Sequence, residues 1–172
     1  RCLTELDREV PAPELAVVDL FTPDPERVGA SLLASLVDTV VRDFCLGETL
    51  AVTLFGAMRA AADHPVVSPV LHRILADEAV HRQFGWDALD ELLSRDPQGV
   101  RTYVADRLDG WLASLRGAYA PQGDAEPMSP EERAAGLIDR AEYRAAFWAT
   151  VEGDLTRRFA SRDIRFPQIS RG

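Results

Sequence analysis

Residues 71–92 carry an apolar stripe at helical spacing, and two polar residues, Glu78 and His81, lie on it. The apolar positions follow the i, i+3, i+4, i+7 pattern of a helix face that packs on a core, which predicts one long helix. A carboxylate on such a face is costly unless it is paired, protonated or bound to a metal. Since residues three apart share a helix face, Glu78 and His81 can reach the same ion.

Helical structure is predicted upstream, between a start at Asp24-Pro25 and about Ala62, with the part from Val28 to Val40 either continuous with the rest or broken near Gly29. This segment contains no further proline, and its apolar residues recur at helical intervals with Glu48 in the one missing place (Val41, Phe44, Ala51, Phe55, Met58 and Ala62). The pattern therefore predicts a second carboxylate on an apolar seam.

The position of the turn between these two helices determines which residues of one helix lie opposite which residues of the other. His64-Pro65 ends the first helix, because the residue before proline disfavours helical backbone, and Ser68-Pro69 is predicted to cap and begin the next. A short connection favours an antiparallel hairpin. At about 1.5 Å per residue, Glu48 lies roughly 24 Å before the turn, and Glu78 and His81 lie roughly 21 and 25 Å after it. We therefore expect all three side chains at one level of the hairpin.

The rest of the chain also predicts helices. Asp96-Pro97 opens a third helix to about Gly117, residues 120–129 form a loop, Ser129-Pro130 begins a short capped helix, and a last helix runs from about Arg140 to Ser161. No strand alternation of useful length is present, so the predicted class is all-α. We expect one domain, with residues 1–25 as an extended lead-in, 26–118 as the hairpin and third helix, and 119–172 as the C-terminal part.

Composition excludes several functions. All nineteen basic residues are arginine, so the chain has no lysine for a phosphate-binding loop or a Schiff base. The two cysteines have no Cys-x-x-Cys spacing, and the net charge of −9 argues against a general binder of nucleic acid or of anionic membranes. No uninterrupted apolar run approaches the roughly 20 residues of a membrane helix, and no signal peptide is visible. We expect a cytoplasmic protein, with the arginines after residue 156 on a solvated helix end.

Glu48, followed thirty residues later by Asp77-Glu78-Ala79-Val80-His81, resembles half of a ferritin-like diiron carboxylate protein. Those four-helix bundles use one Glu from each of two helices and one Glu-x-x-His from each of the other two. The resemblance implies two Fe ions, with Mn or Zn possible, and O₂ as co-substrate for the oxidation of a small molecule.

The resemblance also implies a role for each residue. Glu78 would bridge the metals, Glu48 would be a terminal or bridging ligand, and His81 would bind one metal. Asp77 would orient the imidazole from outside the ligand set. Cys45 and Thr49 flank Glu48 and are candidates for the pocket wall, although a plain buried thiol is the more common role for such a cysteine.

The chain departs from this pattern because it supplies only half of the ligands. The acidic residues of the last helix, Glu142, Glu152 and Asp154, have no histidine three residues later. The other half would come either from an upstream segment or from a second copy in a two-fold dimer. From the sequence we favour the upstream segment, since the chain starts abruptly and without Met.

Other functions stay open at this point. The three polar residues could form a buried Glu-His network in a structural or partner-binding helical domain, which would be costly to break. An iron-storage ferroxidase would use the same ligands. A thiol enzyme built on Cys45 and His81 is a further alternative.

Overall fold

The computed structural model describes residues 32–120, 122–123 and 127–169, so the predicted lead-in and the helix start at Asp24 lie outside the described residues. Within this part the protein is all-α, as predicted, and five helices pack together. They are α1 (residues 32–61), α2 (Val67–Arg95), α3 (Pro97–Tyr119), α4 (Pro130–Ala134) and α5 (residues 140–160). The described core is a single apolar cluster to which α1, α2, α3 and α5 all contribute.

Helix α1 is continuous, but its middle is π-helical. Leu32–Asp38 and Glu48–Ala61 are α-helical, whereas Thr39–Gly47 is a π-helix. A π turn holds more residues than an α turn. The buried residues before and after the π-helical segment therefore do not follow one regular 3.6-residue pattern. The fully buried stripe contains Cys45, Leu46 and Leu50, while Glu48 is only partly buried. The prediction that Glu48 lies on the core seam is therefore wrong, because this residue lies at the edge of the seam.

Part of α1 is apolar enough to meet the usual requirements for a membrane-spanning helix. By length and composition alone, Ala34–Ala61 would suffice to cross a bilayer, with a mean hydropathy of 1.3 in its most apolar stretch, of which 28% is buried. The sequence analysis considered only uninterrupted apolar runs. It missed this segment because isolated charged residues are spaced along it. A mostly buried core helix and a signal sequence pass the same test, so this one helix is weak evidence for a membrane span. Helix α1 packs against α2, α3 and α5.

Helices α1 and α2 form the predicted antiparallel hairpin. Along it, Cys45 meets Gly85, and further on Glu48 meets His81. The predicted cap of α2 is wrong: the helix begins at Val67 without a side-chain cap, and the Ser68 N–H donates to the carbonyl of His64 at 3.0 Å. The turn is held instead by α4, because the N–H groups of residues 63 and 64 both donate to the Ala134 carbonyl at 3.1 Å.

Three later helix starts carry side-chain caps. Asp96 accepts a hydrogen bond from the N–H three residues later, and Ser129 and Glu132 form the predicted reciprocal capping box. Asp139 and Glu142 form a second capping box at the start of α5. The sequence analysis missed this box, although its Asp-x-x-Glu spacing is a readable signal.

Trp86 of α2 links the hairpin to α5. Its ring is 1% exposed and meets Phe159 edge-on at 5.1 Å, while the guanidinium groups of Arg158 and Arg162 lie 5.3 and 4.9 Å from the ring centroid. Arg162 also donates two hydrogen bonds to Asp90, at 2.6 and 2.7 Å. The expectation of a solvated basic helix end is therefore wrong for these two arginines, which pack the end of α5 onto α2.

Candidate metal centre

The hairpin brings Glu48, Glu78 and His81 together, as the level argument predicts. One possible ligand atom from each residue lies within 4.8 Å of the other two. The Nδ1 atom of His81 lies 3.2 Å from Glu78 Oε2 and 4.0 Å from Glu48 Oε1. Two carboxylates and one imidazole therefore converge closely enough to bind one ion together.

A close approach of the two helices makes this convergence possible. Gly85 lies one turn after His81, and a Cβ atom built on it would lie 2.6 Å from the Cβ and 2.8 Å from the carbonyl carbon of Phe44. Only a residue without a side chain fits there. At the same crossing the buried Cys45 thiol donates to the Gly85 carbonyl at 3.2 Å. Glycine in α2 thus lets the two helices approach closely beside Glu48.

The cluster lies at the edge of the fold and is not enclosed by the core. The side chains of Glu48 and Glu78 are 23% and 21% exposed, and that of His81 is 53% exposed. On α2 the fully buried stripe includes Leu71, Gly85 and Leu89, so Glu78 borders this stripe and His81 points further outward. A deeply buried Glu-His network, one of the alternatives above, does not match this exposure.

The two carboxyl groups influence each other, because they share a hydrogen bond and their like charges repel. Partial burial, a hydrogen bond shared with Glu78 and the charge of Glu78 together raise the pKa of Glu48 from its ordinary 4.5 to about 7. The nearby His81 offsets only part of this effect. Without a cation, the pair therefore retains a proton more strongly than either carboxyl group would in water.

The variant Glu48→Gln should be more stable than the wild type when both are metal-free and at about pH 8. The raised pKa of Glu48 means that its contribution to stability is complete below its unfolded value of 4.5 and is lost as the pH rises through about 7. Glutamine keeps the shape and the hydrogen-bonding capacity without the charge. The measurement is urea unfolding of chelator-treated protein across this pH range.

The same comparison at about pH 4, where Glu48 is protonated in both folded and unfolded chains, should show little difference between the two proteins. If Glu48→Gln is instead the less stable protein above neutral pH, then the carboxylate stabilises the fold through His81. That result would favour a structural role for the cluster.

A cavity of about 520 Å³ opens beside the two carboxylates. Glu48 and Glu78 form part of its wall, and α3 contributes Trp111, Leu115 and Tyr119. The other lining residues are Ser114 of α3 and, from α1, Arg42, Asp43, Gly47, Ala51 and Phe55. The sequence analysis did not predict this cavity, because no local pattern on α3 shows that it faces Glu48.

The other predicted site residues lie elsewhere. Asp77 accepts a hydrogen bond from Arg73 at 3.0 Å in an exposed i,i+4 pair, so its described partner is an arginine and not His81. Cys45 and Thr49 lie in the core instead of the cavity wall, and the Thr49 hydroxyl accepts from Trp86 Nε1 at 3.2 Å. Burial raises the pKa of the Cys45 thiol, which opposes the thiolate that a thiol enzyme needs. His72 is exposed, as expected.

The donor set matches the preferences of a divalent transition metal. Carboxylate oxygens and imidazole nitrogen are the usual ligands of Fe(II) and Mn(II), and Zn(II) accepts the same set. A cation between Glu48 and Glu78 would also remove the repulsion that raises the pKa of Glu48. Three protein donors leave open positions for water, substrate or further protein ligands.

Comparison with known proteins adds no assignment. No protein-family model, no curated protein and no solved structure matches this chain. Within the described residues the fold is all-α, with five helices packed together.

Proposed function

We propose that this protein is a metal-dependent oxidase or oxygenase of the ferritin-like diiron type, in which the hairpin supplies Glu48, Glu78 and His81. The observation that carries this proposal is the convergence of three ligand atoms within 4.8 Å at the edge of a cavity. The cavity would receive a small organic substrate.

Each of the three residues has a proposed role that follows from its position. Glu78 lies within hydrogen-bonding distance of His81 and shares a hydrogen bond with Glu48, so it is the candidate bridging ligand. Glu48 would be a terminal or second bridging ligand. His81 would bind through a ring nitrogen, with Nδ1 facing the carboxylates.

A pair of such metal ions supplies the capacity to reduce O₂ in two-electron steps, and the chain supplies position and surroundings. Trp111, Leu115 and Phe55 give the cavity a mainly apolar side that would hold an apolar part of the substrate against the carboxylates. The close approach of α1 and α2 at Gly85 would help to hold Glu48 near Glu78. These residues would only position the substrate and the ligands, because none of them takes part in the reaction itself.

The electrostatics favour a metal site over a structural network. A stabilising network pairs opposite charges, whereas this cluster has two carboxylates and one imidazole that is charged only when protonated. Sites that hold like charges together at a cost to stability are common where a ligand compensates for that cost.

Anaerobic addition of Fe(II) to the chelator-treated protein tests this proposal. We expect bound iron that survives desalting and, on exposure to O₂, a new near-ultraviolet band, since oxidation creates Fe(III) with oxygen ligands. His72→Ala should behave like the wild type, because His72 is exposed and away from the cluster. Absence of both bound iron and the band would refute the proposed function. Assembly into a large cage that accumulates iron would favour the storage alternative.

A further inference from the structure

The cavity beside the carboxylates lies between a row of residues on α1 and a row on α3. The lining residues recur every four positions on both helices: Trp111, Leu115 and Tyr119 on α3, and Gly47, Ala51 and Phe55 on α1. Residues four apart share a helix face, so each row follows one side of its helix. The row on α3 consists of large side chains, whereas the row on α1 begins with a glycine and an alanine. Part of the cavity therefore exists because α1 lacks side-chain volume there.

The smallest residue of the row on α1 lies opposite the largest residue of the row on α3. The Tyr103 hydroxyl donates to Asp38 Oδ1 at 2.9 Å, which joins α3 to α1 before the cavity begins. Trp111 follows Tyr103 by eight residues, and Gly47 follows Asp38 by nine. Since both stretches lead into the same cavity, the two helices run in the same direction, and their similar rise places Gly47 and Trp111 at about the same level. An indole ring thus lines the cavity where α1 has no side chain.

Gly47 is not required for the packing of the helices. Outside the adjoining turns of its own helix, a Cβ atom built on it would meet one described atom within 4 Å, the Arg42 carbonyl oxygen at 3.5 Å, which is an ordinary contact. Its φ of −59° is that of a regular helix, in which glycine is less stable than alanine. Gly85 differs, because a Cβ atom there would clash with α1. The absent side chain of Gly47 leaves space in the cavity, and that space is available to a ligand.

The charges of the cavity wall are balanced once a divalent metal ion is bound. Among the lining residues that the structure describes, Arg42 is the one cation, and its guanidinium donates to both carboxylate oxygens of Asp43, at 2.7 and 3.1 Å. A divalent cation would balance Glu48 and Glu78. A charged ligand would then lose hydration in the cavity without a lining side chain of opposite charge to compensate. The wall therefore favours an uncharged ligand.

We propose that this cavity binds an uncharged aromatic compound, whose ring packs between Trp111 and the open surface of Gly47 and Ala51, and that Gly47 determines the size of the compound that fits. The aromatic wall favours such a ring, because aromatic pairs gain energy beyond the burial of their area. The volume of about 520 Å³ is within the range of small-molecule sites. The assignment of this compound as the substrate rests on the proposed function, whereas binding of the ring depends on the cavity alone.

Three compounds of nearly equal size test the proposed ligand class. They are 4-methylphenol, which is uncharged at neutral pH, 4-methylbenzoate, which is anionic, and 4-methylcyclohexanol, which has no aromatic ring. Each is titrated into the full chain, both chelator-treated and loaded with Zn(II), and binding is measured by ligand-observed NMR. We expect 4-methylphenol to bind roughly two- to twelve-fold more tightly than 4-methylcyclohexanol, as an aromatic contact would give. Binding of 4-methylbenzoate should be the weakest, and equal or tighter binding of this anion would overturn the proposal.

Substitution of Gly47 tests whether this residue determines the space for the ring. Gly47→Leu should lower the affinity for 4-methylphenol at least about ten-fold, because added methylene groups would occupy that space. The matched control is Gly56→Leu, at a glycine of the same helix that does not line the cavity and where a Cβ atom meets no described atom within 4 Å. This control should bind 4-methylphenol like the wild type. Circular dichroism of both variants checks that they fold.

Trp111→Leu provides a test that does not depend on the folding of Gly47→Leu. Leucine keeps the wall apolar but removes the ring, so the preference for 4-methylphenol over 4-methylcyclohexanol should disappear. Replacement of Zn(II) by paramagnetic Mn(II) locates the bound compound. Resonances of 4-methylphenol should broaden strongly with Mn(II), because the cavity wall includes Glu48 and Glu78.

The outcomes separate this proposal from the proposed function. Binding of metal without binding of 4-methylphenol would overturn the ligand class and leave the metal site standing. If no metal binds but 4-methylphenol binds and Gly47→Leu weakens it, the proposed function fails and the ring-binding cavity stands. Binding of 4-methylphenol that neither Gly47→Leu nor Trp111→Leu changes would lie on another surface, which also overturns the proposal.

Discussion

The variants Glu78→Ala and His81→Ala should each lose at least about a hundred-fold in metal affinity, more than removal of an outer hydrogen-bond partner usually costs. Each change removes one of the three donors, among the residues that the structure describes, whose atoms converge within 4.8 Å. The loss at Glu78 should be the larger, because its carboxylate neighbours both other donors. Isothermal titration with Mn(II), or metal analysis after desalting, provides the measurement.

Both variants should fold, which makes the affinity loss interpretable. The Glu78 and His81 side chains are 21% and 53% exposed, so neither truncation leaves a large cavity in the core. Far-ultraviolet circular dichroism of each variant should match the wild type. The control His72→Ala removes an exposed histidine from the same helix and should bind metal normally. Equal losses in all three variants would contradict the assignment of this cluster as the site.

The second large effect is expected from Gly85→Ala. The added methyl group would lie 2.6 Å from the Cβ and 2.8 Å from the backbone carbonyl carbon of Phe44, where no flexible side chain can move aside. Overpacking of this kind typically costs about 1–3 kcal/mol, and more where backbone must shift. Because backbone atoms obstruct the new methyl group, the upper end of that range, about 3 kcal/mol, applies. Helix propensity would return about 1 kcal/mol, so a net loss of roughly 2 kcal/mol is expected in urea unfolding.

The same substitution should also weaken metal binding, because separation of α1 from α2 moves Glu48 away from Glu78. The matched control is Gly110→Ala, at a helical glycine of α3 where a new Cβ meets no atom within 4 Å. It should gain about 0.5–1 kcal/mol, since alanine is the better helix former. If Gly85→Ala were as stable as this control and kept its metal affinity, the helices would not need their close approach.

Helical spacing and proline positions predicted much of the fold. The breaks before Pro65, Pro97 and Pro130 are local features, because proline restricts its own backbone and that of the preceding residue. The hairpin and the common level of Glu48, Glu78 and His81 follow from those breaks and from the constant rise of a helix. The ligand cluster could therefore be predicted from about thirty-five consecutive residues.

The burial of these residues could not be predicted in the same way. The π-helical segment at Thr39–Gly47 shifts the buried stripe of α1 onto Cys45 and Leu50, and a regular 3.6-residue pattern contains no sign of it. Likewise, nothing local to Arg158 or Arg162 shows that a tryptophan seventy residues earlier lies beneath their guanidinium groups.

The sequence by itself determined that this chain is helical, where its helices break, and which carboxylates and histidine meet, because these follow from backbone geometry within one hairpin. Only the tertiary structure decided that the cluster lies at an open edge beside a cavity. Exposure depends on which helices cover a face, and the packing of α3 and α5 against α1 is set by contacts between residues far apart in the chain.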